Sequence, residues 1–276
     1  MSVRGRHTFI CRGVIGPPVL DIETGFEGGH GSHWDAVVEE PSMLSGLIGA
    51  AYREGSTDAA PGGASAVRVR TLPLGDKGFE MRILEIPGPA GGKAAIATAY
   101  PHLAAGGKPL VATPTRIIEW GNHGLEAEVG VELEAGRGTV TFFATDYFAR
   151  SRDYRAGGPL PVRLSAVAYT LGVISPERRV EKVEGRDVDV SRAAIVAPLK
   201  DSERAPYYDD DFFLQGPAVK VEPFAYPPWD EGVVVRVEVP GLGAVPVFGR
   251  KKAFPHGWPR LGEFVAAYVW MQGRLA

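Results

Sequence analysis

Three stretches of the chain hold residue types that can do chemistry. The first is Gly28-Gly29-His30-Gly31-Ser32-His33-Trp34-Asp35. Two imidazoles three residues apart, with a carboxylate two further on, can ligate a divalent metal such as zinc, so His30, His33 and Asp35 are candidate metal ligands. No HExxH or CxxC pattern accompanies them, and histidines in a glycine-rich loop are more often surface residues. The glycines could also cradle a phosphate through backbone amides. However, GxxxxGK[ST] is absent and no clear Rossmann unit follows.

The second is a pair of basic, aromatic stretches, read as loops. One follows Phe142-Phe143 and holds Tyr147, Arg150, Arg152, Tyr154 and Arg155; the other follows Phe248 and holds Arg250, Lys251, Lys252 and Trp258. Cations that track phosphates and aromatic faces that stack on bases are what single-stranded nucleic acid needs. These nine residues are the candidate ligand-binding set. The plainer alternative is that the aromatic side chains cap a core and the charges are solvated. Asp146 and Asp153 weigh toward that alternative.

The third is Asp209-Asp210-Asp211, after Tyr207-Tyr208. Clustered carboxylates can hold Mg²⁺ or Ca²⁺. Successive side chains on an extended strand point to opposite faces, so three in a row cannot converge, and the expectation is a solvated turn. For nucleophilic catalysis there is no GxSxG. Cys11, in an apolar run, reads as a small core residue, and Asn122-His123-Gly124 as a tight turn. No catalytic residue or cofactor is assigned, and enzymatic activity is left open.

Elements must position these groups. A hydrophobic content of 45% against 23% charged allows an ordinary globular core. The net charge of −3 means that a polyanion site must be a local patch. The single cysteine forbids an intramolecular disulfide and fits a reducing compartment. No apolar run reaches membrane-span length, so the expected setting is the cytoplasm, with no membrane contact. Glycine and proline are frequent but without period, which favours short strands and turns.

A helix is expected from Ser42, with Met43, Leu44, Leu47, Ile48, Ala51 and Tyr52 on one face, Ser42 as N-cap and Gly55 as stop. Ser56–Ser65 reads as a loop. Strands are expected at Ala66–Leu72, Phe79–Ile86, Ala94–Tyr100, Arg116–Trp120, Leu125–Leu133, Thr139–Ala144 and Leu160–Leu171. Further strands are expected at Phe212–Glu222, Val233–Val239, Val245–Phe248 and Phe264–Met271. Glu126, Glu128, Glu132 and Glu134 would share a solvent face.

The stretch Val140–Tyr169 recurs in shorter form as Val245–Trp270: an apolar strand ending in phenylalanine, a basic aromatic stretch, then a strand with Ala and Tyr. This gives a mainly β fold with two small OB-like β-barrel modules after a β-rich N-terminal region with one helix. The divisions are 1–111, 112–205 (barrel module and connection) and 206–276. The combination FFATDYF, LSAVAY, DDFFLQGPAVKVE and VWMQGRLA resembles an uncharacterised bacterial protein family over about the C-terminal 160 residues. The resemblance implies one coherent two-part β unit and carries no chemistry. The leading functional expectation is a non-enzymatic binding or assembly protein that takes single-stranded nucleic acid or another polyanion. A metal-dependent hydrolase using His30, His33 and Asp35 is one alternative. A structural subunit that buries exposed β edges against a protein partner or a second copy is another.

Overall fold

The computed structural model describes residues 20–59, 67–88, 92–121, 123–174, 179–183, 185–191, 193–199, 208–226 and 229–276. Cys11 and Tyr207 lie outside them. The fold is mainly β. The N-terminal part holds strand β1 (Asp21–Phe26), the one-turn helix α1 (Gly31–Asp35) and helix α2 (Ser42–Glu54). An antiparallel sheet follows: β2 (Ser56–Ala59), β3 (Arg68–Pro73), β4 (Phe79–Ile86) and β5 (Ala95–Leu103), paired in that order. Helix α2 forms where the apolar spacing places it and buries Leu47 and Ala51. It stops at Gly55, where a Cβ would meet the Ala51 carbonyl oxygen at 2.4 Å. Pro41, not Ser42, is its N-cap, and the Ser42 hydroxyl turns to Glu40. Ser56–Ala59, expected as loop, adds a strand beside β3.

The remainder supplies β6 (Leu110–Trp120), β7 (Ala127–Leu133), β8 (Thr139–Ala144), helix α3 (Tyr147–Arg155) and β9 (Leu160–Val173). A small hairpin follows, β10 (Val180–Val183) with β11 (Arg186–Asp189), then β12 (Ile195–Pro198). The chain continues with β13 (Asp211–Tyr226), β14 (Trp229–Val239), β15 (Gly243–Arg250) and β16 (Phe264–Leu275). One expected helix becomes three among the described residues. The added ones are α1 and α3, and α3 occupies the first basic aromatic stretch, which was expected to be a loop. No helix among the described residues is long and apolar enough to cross a membrane.

The large sheet runs β1-β6-β7-β8-β16-β9-β15-β14-β13-β12, with extra pairings β6–β9 and β16–β13. Those two pairings close two five-strand circuits, β6-β7-β8-β16-β9 and β13-β14-β15-β9-β16, which share β9 and β16. The circuits are copies of one pattern. Set Phe143 against Phe248 and the registers coincide. Val131↔Val140 and Val129↔Phe142 become Val237↔Val245 and Val235↔Val247. Leu110↔Val162 becomes Leu214↔Ala267. The parallel pair Phe143↔Gln272 becomes Phe248↔Val167. The irregularity between Pro114 and Arg116 becomes the one between Ala218 and Lys220. The shared strands are antiparallel, and their pair Ala166↔Met271 is the point that the exchange leaves in place.

Each unit therefore gives four strands to its own circuit, and its last strand serves the other circuit as well. Strand β16, from the expected 206–276 module, pairs with β8 and β9 of the expected 112–205 module. A single apolar cluster, including Val129, Phe142, Ala166, Val235, Val247 and Met271, fills the large sheet's inner face. A second cluster lies on the other face, where Phe143, Val167, Phe248 and Trp270 meet the N-terminal sheet and Leu47 of α2. That second cluster is where the candidate site sits.

Candidate metal centre

The glycine loop before α1 lies flat on Trp120. A Cβ on Gly28 would meet the indole at 2.5 Å, so only glycine permits the approach. This brings His30 and His33 inside, where both are buried. The His30 ring touches Tyr100, Trp120, Phe143 and Trp270. The His33 ring stacks on Trp270 at 3.9 Å and 6°.

The two imidazoles are joined. His30 Nδ1 is 3.0 Å from His33 Nδ1, and His30 Nε2 is 2.6 Å from Glu126 Oε1, which also accepts from Thr98 Oγ1 at 2.9 Å. The partners set the tautomers. His30 donates from Nε2 to the Glu126 carboxylate, so its Nδ1 is a lone pair and accepts from His33 Nδ1–H. His33 Nε2 is then left with a lone pair, and it finds no hydrogen-bond partner in the protein.

Facing His33 is the turn Tyr208–Asp211, closed by Asp211 N–H donating to Tyr208 O at 3.2 Å. Asp209 points outward and accepts from Arg116 Nη1 at 2.8 Å. Asp210 points inward: its Oδ2 accepts from Trp270 Nε1 at 2.7 Å, and its Oδ1 has no partner. Asp211 accepts from the Tyr169 hydroxyl at 2.7 Å and from Tyr208 N–H at 3.1 Å. One ligand atom from each of His33, Asp210 and Asp211 lies within 4.8 Å of the others, and all three residues are buried. That spacing is close to what two metal–ligand bonds of about 2.0–2.2 Å bridge.

The electrostatics follow from dryness and crowding. Burial, with His30 beside it, holds the His33 imidazole well below its usual value. Burial, then Glu128 and Asp211, pushes the Asp210 carboxyl well up, and burial raises Asp211 as well. Glu126 and Glu128 share a face, as their alternation requires, but it is not a solvent face. Each is 1% exposed. Glu132 and Glu134 alone of that row are exposed. Glu128 accepts from Trp120 Nε1 at 3.1 Å and from Asp209 N–H at 3.2 Å.

Two cavities flank the glycine loop. One, of about 740 Å³, is lined by Phe26, Arg116, Glu128, Tyr208 and Asp209 among others, the immediate neighbours of the carboxylate pair. The other, of about 440 Å³, reaches His30 and Thr98 at the far end of the imidazole relay.

Of the three expected metal ligands, His33 is in the assembled group. His30 stands behind it with both nitrogens engaged, and Asp35 is exposed on α1. Asp210 and Asp211, expected in a solvated turn, are buried instead. Alternation governs extended chain, whereas Asp209 and Asp210 lie in a turn. The three carboxylates do diverge, yet two of them still reach one imidazole.

The nine candidate ligand-binding residues do not form one surface of cations and aromatic faces. Tyr147 and Tyr154 are fully buried on α3, donating to Glu119 and Asp146 respectively. Arg150 pairs with Asp153, and Arg155 with Glu119 at 2.5 Å, while Arg152 is exposed. Arg250 is buried, Lys251 and Lys252 are exposed in a 3-10 turn, and Trp258 packs against the first core.

A second constellation resembles a hydrolase triad. Thr145 Oγ1 lies 3.2 Å from His102 Nε2, and His102 Nδ1 lies 2.9 Å from Glu80. Thr145 and His102 are each 1% exposed, and neither lines the cavities described above. The Thr145 carbonyl also accepts from Arg82 Nη1 at 3.1 Å and from the Tyr100 hydroxyl at 3.0 Å. The group clamps the N-terminal sheet onto β8. No protein-family model, no curated protein and no solved structure matches the chain.

Proposed function

We propose that the protein is a metal protein with a mononuclear divalent centre on His33 Nε2, Asp210 and Asp211. The observation that carries this is a buried imidazole nitrogen, His33 Nε2, and a buried carboxylate oxygen, Asp210 Oδ1, both without hydrogen-bond partners and both on residues of one cluster. Two acceptors held together in a dry site are costly, and a cation offsets that cost. The duplication supports the same reading. Counting back from Leu110 and Leu214, the positions of Asp210 and Asp211 are Gly106 and Gly107 in the first unit. The first unit closes its circuit with glycines there, so the strand pattern itself does not demand the acids.

The reaction class that fits is metal-assisted hydrolysis. A metal here would supply a bound water with its pKa lowered toward about 7, and Glu128, which acts on Asp210 electrostatically and lines the larger cavity, would be the carboxylate to take its proton. Each five-strand circuit also fits a barrel of the OB type. Support comes from the three-strand meander, the helix or turn that follows it, and the parallel closing strand. A nucleic-acid role for these circuits has less support, because Tyr147 and Tyr154 face inward.

The test is a titration of the EDTA-treated full chain with zinc, manganese and magnesium in a calorimeter. One equivalent of at least one cation is expected to bind, and Asp211→Asn is expected to weaken it. Absence of saturable binding by all three cations would falsify the proposal.

A further inference from the structure

We infer that the centre takes a later first-row transition dication, zinc or its cobalt and iron neighbours, in preference to magnesium or calcium. This rests on the metal reading above and concerns which class of ion the site selects. The argument begins at the nitrogen. Magnesium and calcium take oxygen ligands, while imidazole suits the later transition ions. Here the nitrogen is not an incidental neighbour, since the fold fixes its lone pair through two further residues. Glu126 sets His30, His30 sets His33, and Thr98 holds Glu126. Such outer partners orient an imidazole ligand and raise its basicity.

The His33 ring also has little freedom to turn away. Trp270 stacks on it at 3.9 Å, and Tyr208 and Tyr169 lie at 5.6 and 6.5 Å. Trp270 in addition donates to Asp210, so one indole holds both a nitrogen and an oxygen ligand. The surroundings work against the alkaline-earth ions independently. Magnesium keeps several waters, and calcium needs six to eight oxygens. His33 and Asp210 are fully buried, and Asp211 is 3% exposed, which leaves little room for a hydration shell. Three protein ligands, one of them nitrogen, satisfy a zinc-like ion at low coordination number. They fall well short of what calcium requires.

The experiment uses the full chain, stripped with EDTA and loaded with cobalt(II), whose visible bands and hyperfine-shifted proton resonances report its ligands. One equivalent of cobalt is expected, with one shifted, exchangeable imidazole N–H, the His33 Nδ1 proton held by His30. A hundredfold excess of magnesium or calcium should leave the bands unchanged, and one equivalent of zinc should remove them. Glu126→Gln is expected to lower cobalt affinity about 10- to 100-fold while keeping the bands. His33→Asp, which leaves only oxygen ligands, should abolish the shifted resonance and let magnesium compete. If His33→Asp does not fold, the Glu126→Gln comparison and the magnesium competition on the unaltered chain decide the matter. Displacement of cobalt by equimolar magnesium or calcium would overturn the preference and leave the metal centre standing. Failure of every cation to bind would overturn the centre itself.

Discussion

Asp210 shows what a single side chain implies. A carboxylate fully removed from water, beside Asp211 and Glu128, opposes folding unless a cation or a proton joins it. Its carboxyl is raised, so the sign is that of a group whose metal-free stability declines as pH rises through the folded value. Asp210→Asn keeps an acceptor for Trp270 and removes the charge. It should raise the stability of the metal-free protein at neutral pH and abolish metal binding. Urea melts in EDTA, alongside a cobalt titration, check both halves, and a destabilised metal-free variant would contradict the account. His33 could be read from its spacing to His30 because a nearby partner advertises it. Asp210 and Asp211 could not, because their partner is distant in sequence and the turn that aims them has no spacing signature.

At the level of elements, strands were the most legible. Phe79–Ile86 and Thr139–Ala144 fall where alternation and turn residues put them. Helix α3 was not legible. Its buried positions Tyr147, Phe148 and Tyr154 are interrupted by Arg150, Ser151, Arg152 and Asp153, and its aromatic residues read equally well as stacking faces. The acidic row along β7 had the right face and the wrong surroundings, since nothing local to Glu126 and Glu128 says that His30 will pair with the one and Trp120 and Asp209 with the other.

The joint between β4, β5 and β8 carries its own prediction. Burial, then Arg82, holds the His102 imidazole down to about 4 from 6.5, although Glu80 pulls the other way. The unfolded chain therefore binds the proton first. Stability is present above 6.5 and is lost as pH falls toward 4. By pH 5 the loss is about 2 kcal/mol, and His102→Gln should flatten it. Urea midpoints at pH 7 and pH 5 for both proteins measure this, and equal slopes would exclude His102 as the cause.

For the whole molecule, the duplication was visible in the sequence at Phe143 and Phe248 and misaligned beyond them. The matching tyrosines Tyr169 and Tyr268 invite one alignment, but the strand registers place Tyr268 opposite Phe213, where the first unit has Arg163. Sharing of the last strand is invisible to any local pattern, because each unit reads as complete. It predicts that the two halves are not separable. The full chain should unfold in one cooperative transition. Residues 1–207 alone should lack protected amides, and should gain them when residues 208–276 are supplied as a second chain. A cooperatively folded 1–207 fragment would contradict the shared-strand arrangement.

Strand β16 is hydrogen-bonded to β8, β9 and β13. A ribosome builds those partners long before it reaches Phe264. Until that stretch emerges, β8 and β13 each wait with an open edge, the state in which nascent chains are most prone to stick to one another. Strand β16 therefore acts as a latch on everything synthesised since β6. A premature stop just before Phe264 would be nearly as damaging to the cell's yield of folded product as one a hundred codons earlier.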